Sequence, residues 1–155
     1  EDKYKGSYEQ CAKIIQNYSS RRGLDISDFF NRLLFCFVTG NSDMHLKNFS
    51  LINNIKTGEW ELSKAYDLLP VNLLLPSDKE ETALTLNGKK SRLMRKDFLI
   101  FSQNIELPQK AAEKMIEQIV SKKDKFLEAA KSPFISDDLQ QRLCKLIEER
   151  IERLV

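Results

Sequence analysis

The chain has 155 residues, of which 41% are hydrophobic and 31% charged, with a formal net charge of +2. That balance belongs to a folded domain able to bury roughly two thirds of its unfolded surface, and it excludes a fibrous or disordered chain. So small a net charge does not by itself argue for nucleic acid, and no apolar run approaches the roughly 20 residues needed to cross a bilayer.

Residues Glu1 to Gly6 are polar where a secretory signal would place an apolar stretch, so a cytoplasmic location is expected. Tyr8, Cys11, Ala12, Ile15 and Tyr18 fall on one helical face, predicting a short helix that stops near the polar stretch Asn17 to Gly23. A second helix takes Asp25 or Ser27 as its candidate N-cap and repeats Phe29, Phe30, Leu33, Leu34, Phe37 and Val38 in a broad apolar stripe ended by Gly40. A stripe that wide marks the central buried helix.

Phe49 to Ile52 reads as a short strand, Asn53 to Gly58 as a turn, and Trp60 with Leu62 as the return strand of a hairpin. Leu68 to Pro76 reads as irregular or weakly helical, and Ala83 to Leu86 as a short extended piece before Asn87 and Gly88. Asp97 or a neighbour opens a helix through Phe98 and Phe101. Pro108 starts a long one with Ala112, Met115, Ile116, Ile119 and Phe126 inside, broken at Pro133. Ser136 caps the last helix, which carries Leu139, Leu143, Leu146, Ile147, Ile151 and Leu154. The expected fold is mainly α, one domain over residues 1–155, with a small β-hairpin in its middle. Cys11, Cys36 and Cys144 are far apart and flanked by apolar residues, so they read as core positions rather than a metal or redox centre.

The chemistry is concentrated in the polar loop between the central helix and the hairpin, Gly40-Asn41-Ser42-Asp43-Met44-His45-Leu46-Lys47-Asn48-Phe49-Ser50. Asp43 and Asn48 stand at the spacing of a protein-kinase catalytic loop, in which an aspartate orients the attacking hydroxyl and an asparagine holds magnesium. That spacing alone is weak, because both residue types are common in turns. The hairpin strengthens it by returning Ala65-Tyr66-Asp67-Leu68-Leu69-Pro70 to the loop, with Asp67 as a hard oxygen ligand for a hard cation.

Taken together, G-N-S-D-M-H-L-K-N-F-S followed by A-Y-D-L-L-P resembles the C-terminal domain of HipA-type toxin kinases, a likeness that extends through Leu84 to Lys89 and the closing helices. The resemblance implies the helical C-terminal lobe of a protein-kinase-like fold that transfers the γ-phosphate of ATP to a serine or threonine hydroxyl of a protein. It implies Asp43 as catalytic base, Asn48 and Asp67 as magnesium ligands, His45 and Lys47 as supports for phosphate and loop, and Tyr66 near the nucleotide. It further implies a HipB-like DNA-binding antitoxin as partner, with DNA met only through that antitoxin. An N-terminal lobe with the phosphate-binding lysine is also implied. Neither that lysine's strand nor a G-x-G-x-x-G loop can be read before Asp43, so the 155 residues are expected to hold half of an ATP site.

Two other readings stand beside the kinase lobe. One is a helical protein-interaction module in which the loop polars carry no chemistry. The other is a nucleic-acid surface made by Lys89, Lys90, Arg92, Arg95 and Lys96, although such a run is more often a solvated face. His45 is the sole histidine, which excludes a multi-histidine zinc site. Glu80-Glu81 and Glu148-Glu149 are adjacent rather than facing pairs, unlike the carboxylates of a hydrolase cleft.

Overall fold

Ser7 opens α1 (Tyr8–Tyr18) with a reciprocal cap: its hydroxyl accepts from the Gln10 N–H, and the Gln10 side chain accepts from the Ser7 N–H. This computed structural model describes residues 2–75, 79–132 and 134–155, and the boundary prolines expected at Pro76 and Pro133 lie outside the described residues. Ahead of α1, Asp2–Tyr4 form a single 3-10 turn.

The central helix α2 (Arg22–Thr39) begins a turn before the cap expected at Asp25 or Ser27. Asp25 lies inside its first turn, fully buried, because its carboxylate has other partners. It accepts from Ser19 Oγ at 2.6 Å, from the Leu62 N–H at 2.7 Å and from Arg21 at 3.2 Å. A carboxylate there also faces the positive end of the helix dipole. Ser27 turns its hydroxyl back to the Gly23 carbonyl instead of capping. At the other end Gly40 adopts φ +72°, where a Cβ would meet the Leu146 side chain. The Gly40 and Asn41 N–H groups then close the helix on Phe37 O and Cys36 O.

The hairpin pairs β1 (Leu51–Asn53) with β2 (Trp60–Leu62), antiparallel, with Leu51 opposite Leu62. Its first strand starts later than the expected Phe49. The reason is that the Phe49 ring packs edge-on against Phe29 at 5.0 Å and Tyr8 at 6.1 Å, which pulls it out of the ladder. Beyond the hairpin, α3 (Val71–Leu74) is one short turn of helix within the stretch expected to be irregular or weakly helical. Residues 83–86 form isolated bridges rather than a strand, Ser7 to Thr85 and Leu86 to Lys89.

The last part of the chain is α4 (Arg95–Asn104), α5 (Gln109–Ser121), α6 (Lys123–Ala130) and α7 (Asp137–Glu152). Asp97 sits in the first turn of α4 and accepts from the Met94 N–H, Lys89 Nζ and Asn87 Nδ2, contacts that hold its carboxyl below the usual range against the opposing effect of burial. The single long helix expected from Pro108 through Phe126 is broken at Lys122 without a glycine or proline. Phe126 belongs to α6 and meets Phe35 of α2 at 5.9 Å, so tertiary packing overrides local propensity at the break. Ser136 does cap α7, accepting from the Leu139 N–H.

α2 is the hub: it packs against α1, α5, α7 and β2. Its Phe29, Phe30 and Phe37, all at most 1% exposed, interlock with Phe98 and Phe101 of α4. Beside this core, buried Glu81 accepts from Arg153 at 2.6 Å and from the Leu93 N–H at 2.9 Å. Arg150 lies 3.5 Å from Glu81 and over the Phe37 ring, and burial lowers its pKa to about 10. These charges tie residues 81–93 to α7. Replacing Phe29 with alanine is expected to cost about 3–5 kcal/mol of folding stability, measured by chemical denaturation. Because Phe29 holds Phe49, the loop before it should loosen as well, seen as faster hydrogen exchange at residues 44–49.

Candidate active site

The loop from Asn41 to Asn48 is anchored by one apolar residue within it and another just after it, while Leu46 stays exposed. Met44 is fully buried, and its carbonyl accepts from the Tyr8 hydroxyl at 2.9 Å. Burial pushes the Tyr8 phenol well above its ordinary pKa, so it remains a neutral donor. Phe49, immediately after Asn48, is the second anchor. Between these fixed points the backbone closes tightly, the His45 N–H on the Asp43 carbonyl at 2.8 Å and the Asn48 N–H on the His45 carbonyl at 3.0 Å.

The hairpin delivers Asp67 to this loop. Asn48 Nδ2 donates to Asp67 Oδ2 at 2.9 Å, while Asn48 Oδ1 is buried without a hydrogen-bond partner. Asp67 is exposed and has φ +57°, the left-handed region that aspartate tolerates better than most residues. Its carbonyl is held by Asn41 Nδ2 at 3.3 Å, and the same Asn41 side chain accepts from the Asp43 N–H at 3.2 Å. One buried asparagine thus links the loop aspartate to the hairpin aspartate. Asn48 and Asp67 are in direct contact, and Asp43 is joined to them through Asn41.

The other expected site residues are placed as follows. His45 is 7% exposed, its Nδ1 has no hydrogen-bond partner, and its ring meets Tyr4 edge-on at 5.3 Å. Lys47 is exposed on the single 3-10 turn Leu46–Asn48. The Tyr66 hydroxyl donates to the Lys47 carbonyl at 2.8 Å and lies 3.0 Å from Ser50 Oγ, so the ring is tied to the loop it flanks.

Two residues were not singled out from the sequence. Asn41 stands in the quoted motif, and its proximity to Asp43 was the available signal. Tyr4, whose hydroxyl donates to Asp43 Oδ1 at 2.9 Å, had no local signal at all. A cavity of about 380 Å³ opens beside Asp43, walled by Tyr4, Ser42, Val71, Leu75 and Lys90. A larger groove of about 550 Å³, between Phe35, Leu69, Phe126 and Leu143, is mostly apolar, with Thr39, Lys122 and Lys125 also on its lining.

The donor set suits a hard divalent ion. An orphaned amide oxygen and a carboxylate are neighbours, and among the described residues no group of three or more His, Cys, Asp or Glu side chains forms a cage. Magnesium is commonly held in this way, by one or two protein oxygens with phosphate and water completing the shell. The basic run is largely committed elsewhere: Lys89 pairs with Asp97, Lys90 with Glu80 and Arg95 with Glu117. Arg92 and Lys96, both exposed, are the remaining members of the run.

Comparisons with known proteins agree with the architecture. The sequence profile of the HipA-like C-terminal domain matches residues 1–126. A Haemophilus influenzae protein named "Putative kinase" is 31% identical over 135 residues, covering 77% of this chain and 39% of that protein. "Putative kinase Y4dM" of Sinorhizobium fredii is 36% identical over 90 residues, 58% of this chain and 20% of that one. The chain therefore spans well under half the length of these relatives. Among solved structures, HipA of Shewanella oneidensis, in complex with HipB and operator DNA, superposes with a TM-score of 0.76 over 96% of this chain and 35% of its own, at 17% identity.

Proposed function

The chain belongs to the HipA-like C-terminal domain family, and on that premise we propose that it is the catalytic-loop lobe of a serine/threonine protein kinase of the toxin-antitoxin class. The observation that carries this reading is the contact of Asn48 with Asp67 beside Asp43, with an amide oxygen left over. Asn48 Oδ1 and the Asp67 carboxylate are the groups that would hold magnesium, which requires the buried Asn48 amide to turn over and exchange its hydrogen bond to Asp67 for the ion. An ion held there would neutralise charge developing on the ATP phosphates. Asp43 orients the hydroxyl of the protein substrate and takes its proton. Asn41 keeps the two aspartates in register. We assign His45 and Lys47 to support of the loop and phosphates, and Tyr66 to the margin of the nucleotide.

The glycine-rich loop and phosphate-binding lysine of a complete ATP site are assigned to an N-terminal lobe outside these 155 residues. A HipB-like antitoxin is the proposed partner, by analogy with the Shewanella oneidensis complex, with DNA contacted through it. No described helix is long and apolar enough to cross a membrane; a cytoplasmic setting is part of the proposal.

Complementation tests the proposal. Supplying the family's N-terminal lobe, fused or as a separate chain, is expected to yield magnesium-dependent autophosphorylation and ADP release that neither part performs alone. A well-folded fusion that neither binds nor turns over MgATP would refute the kinase reading.

A further inference from the structure

We propose, resting on the kinase reading above, that Tyr4 is a positioning residue for phosphoryl transfer: it holds one oxygen of Asp43 so that the other faces the acceptor hydroxyl. The Tyr4 hydroxyl donates to Asp43 Oδ1 at 2.9 Å across 39 positions of sequence, and no described residue donates to Oδ2. A free aspartate carboxylate rotates easily about its terminal torsion and presents either oxygen. One donor on Oδ1 selects a single orientation.

Tyr4 is 41% exposed, but its ring and its turn have contacts of their own. Its ring packs edge-on against His45 at 5.3 Å and lies under Lys3 Nζ at 4.7 Å, while its turn precedes the capped start of α1. Tyr4 and Asp43 line the same cavity of about 380 Å³, so the fixed carboxylate borders open space where an acceptor side chain can enter. The phosphoryl-transfer transition state is loose, with little covalent work for the protein, so the aspartate contributes mainly by aligning the nucleophile. A residue that fixes the aspartate therefore acts on the turnover rate rather than on nucleotide affinity. The pairing also ties the amino-terminal turn to the catalytic loop, two segments whose proximity has no signal in the order of the residues.

The test uses Tyr4→Phe in the lobe-complemented protein, because that change keeps the ring contacts with His45 and Lys3 and removes only the hydroxyl. Losing one hydrogen bond to a charged group is expected to lower kcat for ADP release about tenfold while KM for MgATP stays within about twofold. In the Asp43→Asn background Tyr4→Phe should slow the reaction no further, because the group it positions is already disabled. Thermal unfolding of Tyr4→Phe should stay close to that of the native chain. Native kcat in Tyr4→Phe, or a loss carried by KM alone, would overturn the proposal. Independent, multiplying effects in the double variant would do the same. Full activity in Asp43→Asn by itself would overturn the proposal too, by removing Asp43 as the base, whereas a folded, complemented protein that neither binds nor turns over MgATP would bring down the kinase reading, so the two failures are distinct.

Discussion

Asp43→Asn is expected to lower phosphoryl transfer by about 10²–10⁴-fold, the range attributable to a positioned general base, while leaving the fold intact. The substitution is nearly isosteric, and the hydrogen bond from Tyr4 to Oδ1 and that from the Asp43 N–H to Asn41 remain possible. Asp43 is only partly buried and forms no ion pair among the described residues, so neutralising it leaves no uncompensated charge inside. The measurement is radiolabelled phosphate transfer by the lobe-complemented protein, with thermal unfolding recorded on the same samples. Native-like transfer by a folded Asp43→Asn protein would remove Asp43 from the role of base.

The second large effect falls on the metal. Asp67→Asn should weaken magnesium or manganese binding by at least the roughly 10–100-fold that losing even an outer hydrogen bond to a metal ligand costs, with nucleotide binding falling in parallel. Asparagine is the informative choice because it accepts the positive φ of this position as readily as aspartate, so the backbone held by Asn41 is preserved and only the charge is lost. Titration calorimetry with MgATP, or manganese relaxation, reads the change. Unaltered metal affinity would place the ion elsewhere and leave the Asn48–Asp67 contact as a structural hydrogen bond. Neither substitution touches Phe29, Phe30 or Phe101, so a loss of function with unchanged unfolding separates chemistry from stability.

Much of the molecule was legible from its residues because the signals were local. The stripe from Phe29 to Val38 is a helical period, Gly40 is the residue that accepts the left-handed C-cap, and Asp43 and Asn48 share one loop. Asp67 was within reach too, since a hairpin of short, regular strands predicts where a chain returns; the 19 positions between Asn48 and Asp67 are spanned by a single turn-back. Less legible was Asp25, which has the composition of an N-cap yet serves as a buried acceptor for a strand 37 positions away. The break at Lys122 was unreadable for a related reason: no helix-breaking residue is present, and the ring that decides it, Phe126, meets its partner on another helix.

The sequence by itself determined the helical class, the limits of α2 at Gly40, the hairpin and the grouping of Asp43, Asn48 and Asp67, because each follows from a short-range period or a turn of definite length. Only the tertiary structure decided that Asn41 bridges the two aspartates, that Asp25 anchors β2, and that Tyr4 reaches Asp43. Those are single hydrogen bonds across 26, 37 and 39 positions. Pairings at such separations leave no period in the chain, and they form only after packing has brought distant elements together.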